Sequence, residues 1–258
     1  MSNDEFSNGM DVALNSYSLP PEYGEDSSKA TIALNEYEKS VFLTKAQDEI
    51  FLNLYNGKNV YGDYFEGTEE LRRYLNNLVR TKVLTEEDQI NYLDTTKLSN
   101  DSIIYDIEET TAFITLEQVT LTNTSSSVSD KCKEFDATVY PVTQDEYARV
   151  KDNPFRGPTR YKVLRLDYGN NERGSLGKIE LIPPKGYEIK TYLVKYLVPP
   201  RPIILIDLPD GLTINGNYHS FSECEMNPLL HNLILDRAVA LAIQSKLIGA
   251  NNNKTNRE

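Results

Sequence analysis

Tryptophan is absent, and histidine and cysteine occur only twice each. Two histidines leave little side-chain chemistry that changes charge near neutrality. Two cysteines, Cys132 and Cys224, make no disulfide framework and fit a reducing compartment. Long apolar runs are missing as well. No stretch of about 18 apolar residues exists, so no transmembrane helix is expected. The opening Met1-Ser-Asn-Asp-Glu-Phe has no basic or apolar segment of the secretory kind, so no signal peptide is expected. Positive charge is scarce. Against 39 Asp and Glu stand 27 Lys and Arg, a net charge of −12, which argues against a general nucleic-acid binder.

What remains is ordinary globular material, with 39% hydrophobic and 26% charged residues over 258 positions. That length suits one large domain or two small ones and can bury a substantial core. Tyrosine is abundant at 17, and its apolar body with a polar tip suits interfaces. Charge is unevenly spread. Residues 151–201 carry 11 Lys and Arg against 5 Asp and Glu, so the rest of the chain is strongly acidic. Such asymmetry suits either a solvated basic strand face or a segment that meets an acidic partner.

The periodicity predicts an α+β chain: N-terminal helices, an antiparallel β-rich middle and a long buried C-terminal helix. Residues 1–28 hold six acids, no basic residue and Pro20-Pro21, and read as a flexible arm. Residues 29–100 read as helical. Asn35 with Glu38 has capping-box spacing for a helix over 35–56. The apolar residues of that helix fall on two faces, so either it is buried on two sides or it breaks at Thr44. Thr68, Glu69 and Glu70 open a second, amphipathic helix to Val79. Residues 101–226 read as the β-rich region, with strands at 103–107, 112–121, 137–140, 161–168, 178–182, 187–198 and 203–206. Glycine and proline turns separate the last four. Thr143 caps one or two helical turns over 144–151. Asn227 with Pro228 then starts a helix over 227–249, closed by Gly249 and packing on the core. Its apolar residues point all round the axis, so it is buried all round, by its own chain or partly by another. Asp236, Arg237 and Lys246 exclude a membrane span. Residues 250–258 read as a disordered tail.

Motifs for catalysis are weak. Gly169-Asn-Asn-Glu-Arg-Gly-Ser175 has P-loop glycine spacing but lacks the lysine and the following helix, so it reads as a hairpin loop. His219, Cys224 and His231 lack the paired spacing of a zinc site. Neither Gly-x-Ser-x-Gly nor a Cys/His nucleophile arrangement appears. Two rival classes stay open: a carboxylate-based hydrolase, which needs acids converging in a pocket, and a carbohydrate- or receptor-binding module, which needs exposed Tyr on a concave surface.

Three stretches together carry a resemblance. They are Leu34-Asn-Glu-Tyr-Glu-Lys-Ser-Val-Phe-Leu-Thr-Lys-Ala-Gln47, then Phe65-Glu-Gly-Thr-Glu-Glu-Leu-Arg-Arg-Tyr-Leu75, then Tyr196-Leu-Val-Pro-Pro-Arg-Pro-Ile-Ile204 with Cys224-Glu-Met-Asn-Pro-Leu-Leu-His231. The chain resembles the structural neck proteins of crAss-like tailed bacteriophages, the rings that join portal to tail. The resemblance covers most of residues 34–247. It implies a non-enzymatic virion protein without cofactor, assembled in the host cytoplasm into a homo-oligomeric ring of twelve copies. It further implies the portal and the other neck and tail ring proteins as neighbours, a first position under the portal, and DNA passing through the channel. A head-to-tail ring contact needs two unlike patches on each copy. The residues expected to supply them are Arg160, Tyr161, Lys162, Arg165, Tyr192, Tyr196, Leu233 and Arg237. On the cysteine and histidine spacing, elemental analysis should find no stoichiometric zinc. Non-reducing mass spectrometry should find no Cys132–Cys224 bond.

Overall fold

A computed structural model describes residues 1–16, 33–58, 62–90, 97–107, 111–124, 133–151, 153–167 and 177–255, with side chains up to 245. Cys132 and the Gly169–Ser175 glycine segment lie outside the described residues. The helices are α1 (Asn3–Ser16), α2 (Glu36–Tyr55), α3 (Glu69–Leu75), α4 (Gln144–Val150) and α5 (His231–Thr255). The strands are β1 (Val79–Thr85), β2 (Ile103–Asp106), β3 (Phe113–Asn123), β4 (Glu134–Pro141), β5 (Lys162–Asp167), β6 (Lys178–Ile182) and β7 (Tyr187–Leu197). The α+β class is as the periodicity predicts. The chain divides into two compact units, a helical one of Met1–Leu78 with Pro200–Glu258, and a sheet unit of Val79–Pro199 inserted into it.

In the helical unit, α2 is one unbroken helix. The Asn35 side chain accepts from the Glu38 backbone N–H while Glu38 accepts from that of Asn35, the full capping box. Thr44 does not break it, because its hydroxyl is spent elsewhere. Ser40, Thr44 and Gln47 form a buried polar stripe on α2 at helical spacing. The Leu205 N–H donates to Ser40 Oγ at 3.0 Å and the Ile203 N–H to Thr44 Oγ1 at 3.2 Å. Gln47 Nε2 donates to the Arg201 carbonyl at 2.7 Å. An extended segment with no full strand partner is thus satisfied by a helix. The expected strand at 203–206 is therefore corrected. It makes one isolated bridge, Ile204 to Ser222, and belongs to the helical unit.

Helix α2 is buried on both sides of that stripe. Leu43, Ala46, Ile50 and Leu54 are buried, and α2 packs on α5. Tyr37 and Val41 pack on Ile204, Leu208 and Ile214. On α5, Ile234, Ala238, Val239 and Ala242 are buried, while Leu233 and the preceding Leu229 are exposed. Among the described residues, the start of the long C-terminal helix is therefore not covered all round by its own unit. The helix also runs through Gly249 to Thr255, beyond the predicted stop. A single helical glycine costs about 1 kcal/mol and need not end a helix.

The expectation of a flexible arm is corrected for its first half. Residues 3–16 form α1, with Phe6, Met10 and Leu14 fully buried, each worth roughly 1.5–3 kcal/mol. Asn3 Nδ2 donates to the carbonyls of Ile204 and Ser222. The buried Lys39 ammonium donates to Asp11, Glu36 and Ser7 at 2.8–2.9 Å. Burial alone would lower its pKa, but the hydrogen bonds and charges of Asp11 and Glu36 outweigh this and raise it. Acidic composition hid an i, i+4, i+8 apolar row, 6–10–14, that needs a socket on another helix.

The sheet unit is one seven-stranded sheet in the order β1-β7-β3-β4-β5-β6-β2. Only β4 and β5 pair in parallel, and α4 makes the crossover between them. Strand β1 arises in a stretch expected to be helical. Helix α3 ends at Leu75, a short 3-10 turn follows, and the alternation Val79 to Thr85 takes over. The sheet curls onto itself. β2 and β7 lie five strand steps apart, about 24 Å in a flat sheet at the usual spacing. Yet the Tyr105 and Tyr192 rings sit 5.7 Å apart. Lys82 Nζ on β1 caps the Ile107 carbonyl beyond β2 at 2.7 Å, and Ile90 N–H donates to Ile104 at 2.8 Å. Two register shifts on β3 supply the bend. The enclosed core takes residues from all seven strands, including Leu84, Tyr105, Val119, Val139, Val163, Ile179 and Val194. Outside it, Tyr147 and Val150 of α4 pack on Leu164, Leu166 and Ile182.

One strained contact in the helical unit gives a pH test. Burial raises the Asp48 carboxyl from its ordinary 3.8 to about 6, opposed by a hydrogen bond from Asn215. Asn215 sits at positive φ (51°) in the turn between Ile214 and Tyr218. A carboxyl raised in the fold contributes stability that is present below pH 3.8 and lost as pH rises through about 6. Asp48→Asn should raise the melting temperature at pH 8, by about 1 kcal/mol of stability after solvent screening. At pH 4 its melting curve should coincide with that of the parent.

Candidate subunit-contact surfaces

Each unit exposes one surface rich in large apolar or aromatic side chains. In the helical unit, α2, α3 and the start of α5 enclose a groove of about 730 Å³, lined by Ile50, Leu54, Tyr74, Leu229, Leu233 and Arg237 among others. Asn227 shapes its end. Its Oδ1 accepts from Leu229 N–H at 3.0 Å and its Nδ2 reaches the Arg73 carbonyl at 3.3 Å. The cap turns Leu229 outward at 75% exposure, and Leu233, one turn on, is 52% exposed. Arg237 forms a bidentate pair with Glu49 at 2.9 and 2.8 Å along the groove wall. Leu233 and Arg237 thus share one surface, as the two helical members of the expected contact set. Leu229 was missed. Its signal was the apolar residue right after an Asn-Pro cap, where a helix is still uncovered.

In the sheet unit the predicted residues split. Arg160 stacks its guanidinium on Phe135 at 4.6 Å and on Tyr161 at 5.4 Å. Phe135 also meets the edge of Tyr187, with centroids 5.3 Å apart. Lys162 lies 5.0 Å over the Tyr140 ring and donates to the Arg156 carbonyl at 2.9 Å. Tyr161 is 64% exposed. Tyr140 and Phe155 are exposed too. Arg160, Tyr161 and Lys162 therefore belong to one basic and aromatic surface. Among the described residues, neither Arg160 nor Arg156 has a carboxylate partner. Nearby acids are engaged, Glu134 with Lys190 at 2.6 Å and Asp136 with Thr120 at 3.0 Å.

Arg165, Tyr192 and Tyr196 of the expected set lie off this surface, because the curled sheet buries all three in the single chain. Arg165 Nη1 donates to Glu117 Oε2 at 2.5 Å, and its Nε lies 3.1 Å from Asp167. Tyr192 OH donates to the other oxygen of Glu117 at 2.5 Å. Burial and the Glu117 charge push the Tyr192 pKa far up, so the phenol stays a donor. Burial lowers the Arg165 pKa less than Glu117 and Asp167 raise it. These groups join β3, β5 and β7 inside the unit. Strand alternation explains the split, since residues 160–162 lie at the open strand end while 163 and 165 face the interior.

Of the remaining chemistry-bearing residues, Cys224 and His231 both adjoin Met226 and the N-terminal ammonium. Cys224 Sγ lies 3.4 Å from Gln47 Oε1, and burial pushes its thiol up to about 11. His231 packs on the Phe6 ring at 5.3 Å and donates through Nε2 to the Met226 carbonyl; burial lowers its pKa. His219 is exposed. Among the described residues, no three His, Cys, Asp or Glu side chains are placed to hold a metal ion.

The split yields a paired prediction. Arg165→Glu should destabilise the fold by roughly 3–5 kcal/mol, since it sets two buried carboxylates against each other. Arg160→Glu with Lys162→Glu should cost under about 1 kcal/mol, as exposed substitutions do. Urea unfolding of the two variants measures the difference.

Comparison with known proteins agrees with the resemblance. A family model described as phage tail ring protein 3/4 matches residues 1–254. "Ring protein 3" of Bacteroides phage crAss001 is 44% identical over 247 residues, covering 95% of this chain and 96% of that relative. "Ring protein 4/5" of the same phage is 31% identical over 247 residues, covering 94% and 92%. The chain belongs to the phage tail ring protein 3/4 family of crAss-like phages, and is a structural component of the virion.

Proposed function

We propose that the protein is one subunit of a closed homo-oligomeric ring in the neck of a crAss-like virion, between portal and tail, surrounding the DNA channel. Twelve copies would match the symmetry expected of a ring joined to a portal. Its neighbours are then the portal or further ring proteins, and assembly takes place in the host cytoplasm. The protein acts by shape and adhesion, without catalysis.

The observation that carries this reading is the pair of unlike surfaces. One is an apolar groove with Leu229 and Leu233 exposed beside the Arg237–Glu49 pair. The other is the basic, aromatic surface of Arg160, Tyr161 and Lys162. A head-to-tail contact between identical copies is heterologous, so it needs two different patches on each copy. An isologous dimer would need only one. Exposed leucines on a helix otherwise apolar all round are the kind of surface that a neighbour covers. Large aromatic side chains and arginine are enriched at such contacts. The like-named relatives support the ring assignment over an enzyme or a receptor-binding module.

Leu233 gives the direct test because it is half exposed in the single chain. Leu233→Asp should therefore keep circular dichroism and melting close to the parent, within about 1 kcal/mol. In the ring the same carboxylate is buried without a partner, at a cost of a few kcal/mol, and assembly should fall roughly a hundredfold or more. Native mass spectrometry of the full chain reads the mass of the assembly directly. Full-size rings from Leu233→Asp would remove the groove from the contact. A parent chain that stays a single protomer, alone and with its neighbouring ring proteins, would remove the ring.

A further inference from the structure

The basic, aromatic surface of the sheet unit has a natural occupant in the same sequence. Residues 17–32 read Tyr17-Ser-Leu-Pro-Pro-Glu-Tyr-Gly-Glu-Asp-Ser-Ser-Lys-Ala-Thr-Ile32 and lie outside the described residues. They connect α1, which is docked by three buried side chains, to the capping box of α2. Sixteen residues fully extended reach up to about 50 Å. The connection is therefore much longer than a turn between packed helices, which takes 2–8 residues.

Its chemistry is the complement of the surface. Pro20-Pro21 sits between Leu19 and Tyr23, and Glu22, Glu25 and Asp26 follow at close spacing. Proline-containing segments dock on aromatic-lined surfaces with little entropy to lose. Here Tyr140, Phe155 and Tyr161 are exposed aromatics, and Phe135, itself against Tyr187, meets the Tyr161 ring. Acidic side chains then meet Arg156, Arg160 and Lys162. Arg160 already lies over Phe135 and Tyr161 and has no carboxylate partner among the described residues. A guanidinium pre-positioned in this way loses little freedom when it binds a carboxylate.

We propose that the acidic, diproline segment 17–32 of one copy docks on the Arg160–Tyr161–Lys162 surface of the next copy and links the subunits. This rests on the ring reading, because it requires a second copy alongside. It deepens that reading by naming which part of the neighbour occupies the basic surface. Because α1 and α2 anchor both ends of the segment, the local concentration at a neighbouring copy is high, in the millimolar range for short tethers. A weak contact of this kind therefore suffices, and it responds to salt.

The test uses the full-length chain with Tyr161→p-benzoylphenylalanine, which keeps an aromatic group at the surface. Unlabelled and 15N-labelled chains are assembled together, irradiated and digested. The expected result is cross-links from position 161 to peptides within residues 17–32, with mixed light–heavy pairs that mark contact between chains. Arg160→Glu with Lys162→Glu should lower the yield about tenfold, the effect of roughly 1.4 kcal/mol. Adding Glu22→Lys, Glu25→Lys and Asp26→Lys to the same chain should restore it. Cross-links to any other segment, or within single chains only, overturn the proposal. The assembly mass decides which reading failed. Ring-sized particles with the wrong cross-links leave the ring standing, whereas a protomer-sized mass removes both.

Discussion

The helical unit depends on a segment that returns from the sheet unit with unmet hydrogen bonds. Residues 201–205 need backbone partners, and no neighbouring strand pairs with more than Ile204. A buried peptide group without a partner costs on the order of 1–3 kcal/mol. Helix α2 meets the need with three short polar side chains, Ser40, Thr44 and Gln47, set along one line. These bonds join residues about 155–165 positions apart, across the whole inserted sheet unit. They are among the polar contacts along α2 that join the two pieces of the helical unit, Met1–Leu78 and Pro200–Glu258, and directional bonds fix register where apolar contact alone does not. The constraint also explains the divided apolar pattern of α2. A polar stripe must run between its two buried faces, so no single face can be continuous.

What is left uncovered follows from that arrangement. With α2 committed on two sides and α1 seated by Phe6, Met10 and Leu14, no further element among the described residues of the unit covers Leu229 and Leu233 at the start of α5. The alternative of making those positions polar would be simple for a monomeric protein. Leucine at both positions, at the mouth of a groove with a formed ion pair, is consistent with a surface that another chain closes. In the sheet unit, alternation does the corresponding sorting. Closing the sheet places Arg165 inward, where Glu117 and Asp167 neutralise it, and leaves Arg160 and Lys162 over aromatic rings at the strand end.

Much of the fold was legible in the sequence because its signals are local. The capping box at Asn35, the Thr143 cap of α4, the Asn-Pro start before α5 and the strands β2 to β7 all follow from short-range patterns. The failures share a cause as well. The apolar run 203–206 reads like a buried strand, but its partner is a helix, and nothing in its own residues reports that. Helix α1 was hidden because six acids in 28 residues outweighed three apolar residues in a row that only a socket makes meaningful. Strand β1 starts one residue after a helical turn, with no glycine or proline between them. Of the contact residues, Arg160, Tyr161, Lys162, Leu233 and Arg237 were placed on surfaces. Arg165, Tyr192 and Tyr196 were not, since composition locates charge and tyrosine but cannot say which face closes.

The same stretch thus carries two kinds of positive charge with different physical consequences. Arg165 lies in a low-dielectric interior, where its pairing with Glu117 is geometric and largely indifferent to salt. Removing one member strands the other, so the pair holds strand register whatever its net energy. Arg160 sits in water, where an ion pair is worth at most about 1 kcal/mol and is screened by salt. One such contact cannot hold two proteins together. Repeated around the closed ring proposed above it could, because every subunit would have to separate from two neighbours at once, and an apolar groove offers a contact that salt does not weaken. On this view the buried charges specify the subunit and the exposed ones choose its neighbour.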